Sequence, residues 1–129
     1  MKKFFALFIL ASFITGMTQA QSTKTASVKL LRHVVLFKFK EGTTDADIHK
    51  VEEAFRALPD IIKDVKGFEW GTNNSPEKIN DGYTHCFLVS FSSEKARDAY
   101  LPHPAHKAFV ALLKPYLEKA LVVDYWATH

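Results

Sequence analysis

The strongest constraint on the fold is a pair of segments in which every second side chain is apolar. In the segment Tyr83 to Phe91 the odd-numbered residues are aromatic or aliphatic, except for His85. The segment Leu30 to Lys40 has the same alternation, with His33 on the apolar side. Because successive side chains of a β-strand point to opposite faces, each segment is predicted to be a strand that buries one face. Each buried face carries one histidine.

Helix signals follow both of these strands. A Thr-Asp pair at 44–45 is predicted to cap a first helix, which Pro59 breaks or kinks near its end. The Ser92–Ser93 pair is predicted to cap a second helix that runs to about Leu101. Pro104 suits the first turn of a third helix, because the missing N–H costs little there.

Two shorter strands complete the set, at Gly67 to Thr72 and at Leu121 to Ala127. The resulting order is β-α-β followed by β-α-β, with the second helix in two pieces. This order is typical of the split βαβ or ferredoxin-like fold, an α+β fold with a four-stranded antiparallel sheet. Its first and third strands lie at the sheet centre, so His33 and His85 are expected to sit side by side under the helices. Residues 30–128 are predicted to form one domain.

The opposite face of the predicted sheet is also apolar. A four-stranded sheet with helices on one side would expose this patch, and an exposed patch of that size argues for a partner surface. A second copy of the same sheet is the simplest partner, so we expect a homodimer. The residues assigned to this face are Val34, Leu36, Cys86, Leu88, Val122 and Trp126.

The first twenty residues have the pattern of a secretory signal peptide. Lys2 and Lys3 form a positive region, an apolar run too short for a membrane span follows at 4–14, and Thr18-Gln19-Ala20 is a cleavage pattern. We predict cleavage after Ala20, a flexible lead-in at 21–29, and a periplasmic or secreted protein that is free of the membrane after cleavage. An uncleaved N-terminal anchor is the alternative.

The net charge gives no support for a nucleic-acid partner, and the cysteine content excludes an internal disulfide. The formal charge falls from +3 to +1 once Lys2 and Lys3 are removed, and no cluster of basic residues suggests a nucleic-acid partner. Cys86 is the only cysteine, so an intramolecular disulfide cannot form. Its position among hydrophobic residues predicts a buried, inert thiol.

Histidines are the candidates for chemistry. His103 and His106 are three residues apart at the start of the third helix, and His106 is one turn before Phe109, which predicts that it points toward the aromatic face. Imidazole suits acid–base work because its ordinary pKa is near neutrality. The alternative for each buried histidine is a structural role, with a hydrogen bond to a carbonyl or hydroxyl group.

Several segments together resemble the Dabb family of stress-responsive dimeric α/β-barrel proteins. These segments are LRHVVLFKFKEGTT at 31–44, GYTH at 82–85, DAYLPHPAHKAF at 98–109 and LVVDYWA at 121–127. The resemblance covers roughly Leu30 to Ala127. It implies that two subunits pack sheet to sheet into a barrel, with the helices outside.

The resemblance also implies roles for individual residues. In a cyclase of the family the essential base is the second histidine of H-P-A-H, here His106, and His33, Tyr100 and His85 share its pocket. It therefore implies cofactor-free acid–base chemistry on a small apolar or aromatic carbonyl compound. No cofactor and no metal are expected. The residues expected to contact the substrate are His103, Phe87, Phe109 and Trp70.

Three alternatives remain open at this point. The first is a barrel that binds a ligand or protects against stress without catalysis, and the predicted export favours it, because coenzyme A thioesters are absent outside the cell. The second is a zinc site in which His103 and His106 are joined by His33 or His85. The third, a monooxygenase of the wider dimeric-barrel superfamily, rests on the fold alone.

Overall fold

The computed structural model describes residues 29–128, which form a four-stranded sheet and four helices. The predicted signal peptide and nearly all of the lead-in lie outside the described residues. Between residues 29 and 128, no helix is long and apolar enough to cross a membrane. The elements are β1 (Leu31–Phe39), α1 (Asp45–Arg56), α2 (Leu58–Ile61), β2 (Val65–Thr72), β3 (His85–Phe91), α3 (Glu94–Tyr100), α4 (Pro104–Leu113) and β4 (Leu117–Trp126).

The strands lie in the order β2-β3-β1-β4, and each neighbouring pair is antiparallel. β1 and β3 therefore occupy the centre, as the ferredoxin-like fold requires. The predicted fold is confirmed in its strand order, its pairing and its two-piece second helix.

Local capping fixes where the helices begin. The side chain of Thr44 accepts a hydrogen bond from the backbone N–H of Asp47, and Ser93 does the same for Ala96 at the start of α3. His103 caps α4, since its Nδ1 accepts from the N–H of Ala105. Pro59 falls in the first turn of α2. A proline is tolerated there but not in the interior of a helix, so α1 ends before it and α2 begins as a separate helix.

The core lies between the helices and one face of the sheet. Four phenylalanines from β1, α1, β3 and α4 form its centre, and Phe55 stands 4.4 Å from Phe87 and 4.5 Å from Phe109 between ring centroids. Phe37 lies 5.1 Å from Phe87. Because all four are almost fully buried, the odd-numbered residues of β1 and β3 face the helices, as the alternation predicted.

The orientation of β4 differs from the prediction. β4 begins at Leu117 rather than Leu121, and its register pairs Val122 with Val35. Paired residues of neighbouring strands point to the same face, so the even-numbered residues of β4 face the helices. The prediction that Val122 and Trp126 lie on the open face of the sheet is wrong. Leu121, Val123 and Tyr125 occupy that face instead.

Two further expectations are corrected by the sheet. Cys86 lies on the open face beside Leu36 and is exposed, so the prediction of a buried thiol is wrong for the single subunit. His33 pairs with Val89 and His85 with Phe37, so the two histidines are four residues apart along β1. That spacing corresponds to about 13 Å, so the expectation that they sit side by side is also wrong.

Candidate functional site

A cavity of about 430 Å³ lies on the helix side of β1 and β4, under α3 and α4. Most of its wall is made of aliphatic and phenyl side chains from α1, α4, β1 and β4. Polar groups gather in one part of it. These polar residues are His33, Arg97, Asp98, Tyr100, His106 and Asp124.

Tyr100 is the most unusual residue of this cavity. Its side chain is 0% exposed, yet its hydroxyl has no hydrogen-bond partner among residues 29–128. Its ring centroid lies 4.4 Å from that of His106 and 6.1 Å from that of His33. Burial raises the pKa of Tyr100, so the phenol stays protonated and acts as a donor. A buried donor without an acceptor costs about 1–3 kcal/mol, so the hydroxyl is suited to an oxygen brought by a ligand.

His106 is held in one tautomer by the backbone. Its Nδ1 lies 2.9 Å from the carbonyl oxygen of Leu101, which only accepts, so Nδ1 carries the proton. Nε2 of the neutral ring is then free to accept. Burial lowers the pKa of His106, and the charges of His33 and His103 lower it further, against the opposing effect of the carbonyl. His106 is therefore neutral at pH 7 and suited to act as a base.

His33 is oriented by Asp124, a residue that the sequence prediction missed. Nδ1 of His33 lies 2.7 Å from Oδ1 of Asp124, whose Oδ2 accepts from Nη1 of Arg97 at 2.9 Å. The carboxylate thus fixes the tautomer of His33 with the proton on Nδ1. An acidic residue inside the apolar run of β4 was the available signal. The same alternation that predicted Val122 and Trp126 on the open face would also place Asp124 there, and the register of β4 reverses all three.

His85 lies away from this cavity and is fully hydrogen-bonded. Nε2 donates to Oε1 of Glu52 at 3.0 Å, and Nδ1 accepts from the hydroxyl of Thr84 at 2.8 Å. Burial acts to raise the pKa of Glu52, but hydrogen bonds from His85 and His49 outweigh it, so the net pKa is lowered and the carboxylate is ionised. With both ring nitrogens engaged, His85 fits a structural role. The expected convergence of His33, His85 and His106 is therefore wrong in the case of His85.

The four residues expected to contact substrate are also separated. Phe109 lines the cavity, whereas Phe87 is buried in the aromatic core. Trp70 stacks on His85 with 5° between the ring planes, and His103 caps α4. The structure thus retains one of the four at the candidate site.

A second cavity, of about 570 Å³, opens between the open face of the sheet and the β2–β3 loop. Its floor includes Gly71 and Cys86, and it shares no lining residue with the first. Across residues 29–128, no three His, Cys, Asp or Glu side chains are grouped so that they could hold a metal ion. The structure therefore does not assemble the imidazole zinc site considered from the sequence.

Comparison with known proteins identifies relatives over most of the chain. Residues 31–127 match the family described as the Stress responsive A/B Barrel Domain, or Dabb. The stress-response A/B barrel domain-containing protein HS1 of Arabidopsis thaliana is 37% identical over 98 residues, covering 76% of this chain and 90% of that protein. Olivetolic acid cyclase of Cannabis sativa is 32% identical over 95 residues, covering 74% of this chain and 94% of that protein.

Solved structures with a similar fold cover the same part of the chain. The hydroxynitrile lyase of Passiflora edulis superposes with a TM-score of 0.73 at 25% identity, covering 78% of this chain and 95% of that one. A dimeric ferredoxin-like protein of unknown function from Thermobifida fusca superposes with a TM-score of 0.68 at 25% identity, covering 78% of this chain and 93% of that one. Because the family match spans nearly all of the described residues, this chain belongs to the stress-responsive A/B barrel (Dabb) family.

Proposed function

We propose that the cavity at Tyr100 and His106 binds a small apolar or aromatic carbonyl compound and performs acid–base chemistry on it without a cofactor. The observation that carries this proposal is the buried hydroxyl of Tyr100, which has no hydrogen-bond partner among the described residues, on a ring whose centroid lies 4.4 Å from that of the His106 imidazole. A donor and a base side by side in an apolar cavity are the groups that proton transfer next to a carbonyl needs.

Each group has a defined task in the proposed reaction. Nε2 of His106 removes a proton from the carbon beside the carbonyl, and the electron pair of that C–H bond moves toward the carbonyl oxygen. Tyr100 donates a hydrogen bond to that oxygen as negative charge develops on it. The imidazolium then returns its proton to the product, so the enzyme ends in its starting state.

His33 and Asp124 support this arrangement. Asp124 keeps a proton of His33 on Nδ1, so Nε2 is the ring nitrogen left toward the same polar part of the cavity. Arg97 balances the charge of Asp124, because its guanidinium donates to the second carboxylate oxygen. The Asp124 side chain is thus paired with a cation and adds no unpaired negative charge beside the developing oxyanion.

The relatives support a reaction of this type. One is named as a cyclase and another as a hydroxynitrile lyase. Cleaving a hydroxynitrile requires removal of a proton from its hydroxyl group while a carbonyl forms, which again needs a base and a donor. The same comparisons support assembly of this chain as a homodimer, because several structural neighbours are described as dimeric.

Export remains part of the proposal on the strength of the N-terminal pattern alone. Cleavage after Ala20 would leave Gln21 at the mature N-terminus. The intact mass of protein from its native host tests this, and a species that retains residues 1–20 in a membrane fraction would contradict it.

A second candidate function is binding without turnover. The almost entirely apolar wall of the cavity favours it, because such a wall holds a hydrophobic molecule without further polar contacts. The stress-response description of one relative names no reaction. The experiment below separates this candidate from catalysis.

The test is exchange of the α-protons of phenylacetone in D₂O, followed by NMR. Wild-type protein is expected to accelerate exchange, and His106→Ala to reduce the acceleration by about 10²-fold. Tyr100→Phe removes only the unpartnered hydroxyl and should also slow exchange, whereas Tyr83→Phe, outside the candidate cavity, is the matched control. Binding of the ketone without exchange would favour the second candidate. Absence of both binding and exchange would contradict the proposed function.

A further inference from the structure

We propose that Arg97 is a positioning residue of the candidate site, and that it acts through Asp124. Its guanidinium joins helix α3, which carries Tyr100, to strand β4, which carries the carboxylate that orients His33. The inference rests on the proposed function for the identity of the site. It goes beyond the charge balance described above, because it makes the placement of two rings depend on one ion pair.

Arg97 makes two ion pairs, of which only one joins different elements. Nη1 donates to Oδ2 of Asp124 at 2.9 Å, across 27 positions of the chain. Nε and Nη2 both donate to Oδ1 of Asp98, the next residue of α3, at 3.0 and 2.9 Å. The side chain of Asp98 is 62% exposed, whereas those of Arg97 and Asp124 are 22% and 23% exposed. Because solvent screens an exposed pair, the contact with Asp124 is the stronger of the two.

The contact with Asp124 reaches across strand β1. α3 packs mainly on β2 and β3, and β1 lies between β3 and β4. The Arg97 side chain therefore extends over β1, where His33 lies on the same helix-facing side. Among residues 29–128, no other hydrogen bond or ion pair joins α3 to β4. Loss of the guanidinium would leave α3 without a polar contact to β4 in this part of the chain.

The placement of Tyr100 depends on that of α3. Tyr100 comes three residues after Arg97, so the two side chains occupy neighbouring positions on one face of the helix. The helix has seven residues, and a helix that short takes its stability and orientation from tertiary contacts. The hydroxyl of Tyr100 makes no hydrogen bond to residues 29–128, so it does not fix the helix from the inside. Arg97 is therefore the residue of α3 that is placed to hold Tyr100 beside His33 and His106.

The placement of His33 depends on the other end of the same ion pair. Asp124 accepts from Nδ1 of His33 with Oδ1, at 2.7 Å, and from Arg97 with Oδ2. With both oxygens bonded, the carboxylate is held in one rotation about its Cβ–Cγ bond. Without Arg97 the carboxylate would turn more freely, because this torsion of aspartate is broad. The hydrogen bond that orients His33 would then be intermittent.

Loss of Arg97 should affect the rate of the proposed reaction more than the binding of its substrate. The phenol and both imidazoles would remain in the protein, as would the apolar wall of the cavity. Binding of an apolar ketone should therefore change little. The reacting groups would lose their mutual geometry, and a misplacement of about 1 Å lowers the rate of a step that depends on orientation. The expected result is a lower kcat with a similar KM.

The first test uses the protein without a ligand. In isotope-labelled protein, the proton on Nδ1 of His33 should give a resolved NMR signal, because Asp124 accepts it in a buried site. Arg97→Met should make that proton exchange with water about tenfold faster or more, since the hydrogen bond opens more often. Arg97→Lys should restore part of the protection, because it keeps a cation for Oδ2 of Asp124.

Lys95→Met is the matched control for this test. It removes an exposed positive charge from the same helix, and the His33 signal should exchange as in the wild type. Urea unfolding establishes that each variant is folded. Should Arg97→Met fail to fold, Arg97→Lys takes its place, with a smaller change expected in the same direction. A folded Arg97 variant whose His33 proton exchanges at the wild-type rate would overturn the inference.

A kinetic cycle tests whether Arg97 acts through Asp124. With phenylacetone exchange as the assay, Arg97→Met should lower kcat by about tenfold and leave KM within about twofold. In an Asp124→Ala background the same substitution should have little further effect, because the contact is already broken. Effects that multiply in the double variant would overturn the route through Asp124. A wild-type protein without exchange activity would contradict the proposed function, and the ligand-free measurement would still decide the role of Arg97.

Discussion

At the scale of single residues, the hydrogen-bond partners of His33, His85 and His106 decide what each ring can do. A backbone carbonyl holds His106 with its proton on Nδ1, and the carboxylate of Asp124 does the same for His33. In each of these two rings Nε2 makes no hydrogen bond to another group of residues 29–128. His85 has no such nitrogen, because Glu52 and Thr84 occupy both nitrogens. Histidines of similar sequence context therefore divide into two candidates for chemistry and one structural group.

The lowered pKa of His106 predicts how activity depends on pH. Because burial keeps this pKa below the ordinary value of about 6.5, the base form persists below pH 6.5. Exchange activity should therefore decline only at lower pH, and an NMR titration of His106 should give a midpoint under 6.5. The unfolded chain takes up this proton first as pH falls, so folding stability should decrease from about 6.5 down to the folded pKa. A midpoint above 6.5 would contradict the assignment of His106 as a desolvated base.

The structural assignment of His85 predicts the effect of Glu52→Gln. Loss of the carboxylate removes the charged acceptor of a buried N–H, so the free energy of unfolding should fall by about 1–3 kcal/mol. Urea denaturation measures this. Glu53→Gln is the matched control, because Glu53 is half-exposed and its pair with Arg56 contributes little. Unchanged stability of Glu52→Gln would show that the pair with His85 is not structural.

At the scale of elements, the helices are fixed by local signals and the edge strand is not. Thr44 and Ser93 start α1 and α3 with the hydrogen bonds expected of N-caps. α4 begins with His103 as cap and Pro104 in the first turn, and this start places His106 next to Tyr100. β4 has no such local signal. Among the described strands, it makes its backbone hydrogen bonds with β1 alone.

The capping role of His103 predicts the outcome of two substitutions. His103→Ala removes the acceptor for the N–H of Ala105, so stability should fall by about 1 kcal/mol. His103→Asn should retain most of that stability, because asparagine is a strong N-cap. Thermal or urea unfolding distinguishes the two. Equal losses for both substitutions would indicate that the histidine acts through some contact other than the cap.

At the scale of the whole molecule, one layer of helices covers one face of a four-stranded sheet. The helix side holds the aromatic core and the candidate site, and the open side presents the alternate residues of the same strands. In the proposed function this separation gives one sheet two tasks, ligand binding on one face and contact with a second copy on the other. The family membership and the dimeric neighbours are consistent with that division.

The partner surface predicts the effect of Leu88→Lys. Leu88 lies on the open face opposite Val34, so a charge there would be buried in the proposed dimer and should give monomer or aggregate. Light scattering at micromolar concentration measures the state of assembly. Leu112→Lys is the matched control, because Leu112 is 38% exposed on α4 and lies on the helix side. A wild-type protein that is monomeric under these conditions would contradict the proposed dimer.

The identity and order of the elements, the helix caps and the faces of β1 and β3 could all be predicted from the sequence. Helical spacing also predicted that His106 points toward the aromatic face, whereas its place in one pocket with Tyr100 was implied by the family resemblance. These features depend on residues within a few positions of one another, where alternation, helical spacing and capping are local properties. For the same reason the family resemblance, which is carried by short motifs, was already visible in the chain.

The alignment of the strands with one another could not be predicted in this way, because it arises from pairing between distant segments of the folded chain. The antiparallel register that pairs Asp124 with His33 sets which face Asp124 occupies. The antiparallel register of β1 and β3 placed His33 and His85 at opposite ends of one face. Since a change of one residue in register moves every side chain of a strand to the other face, neither result follows from the pattern of a strand alone. The partner of His33 was fixed by long-range pairing, which no local pattern specifies.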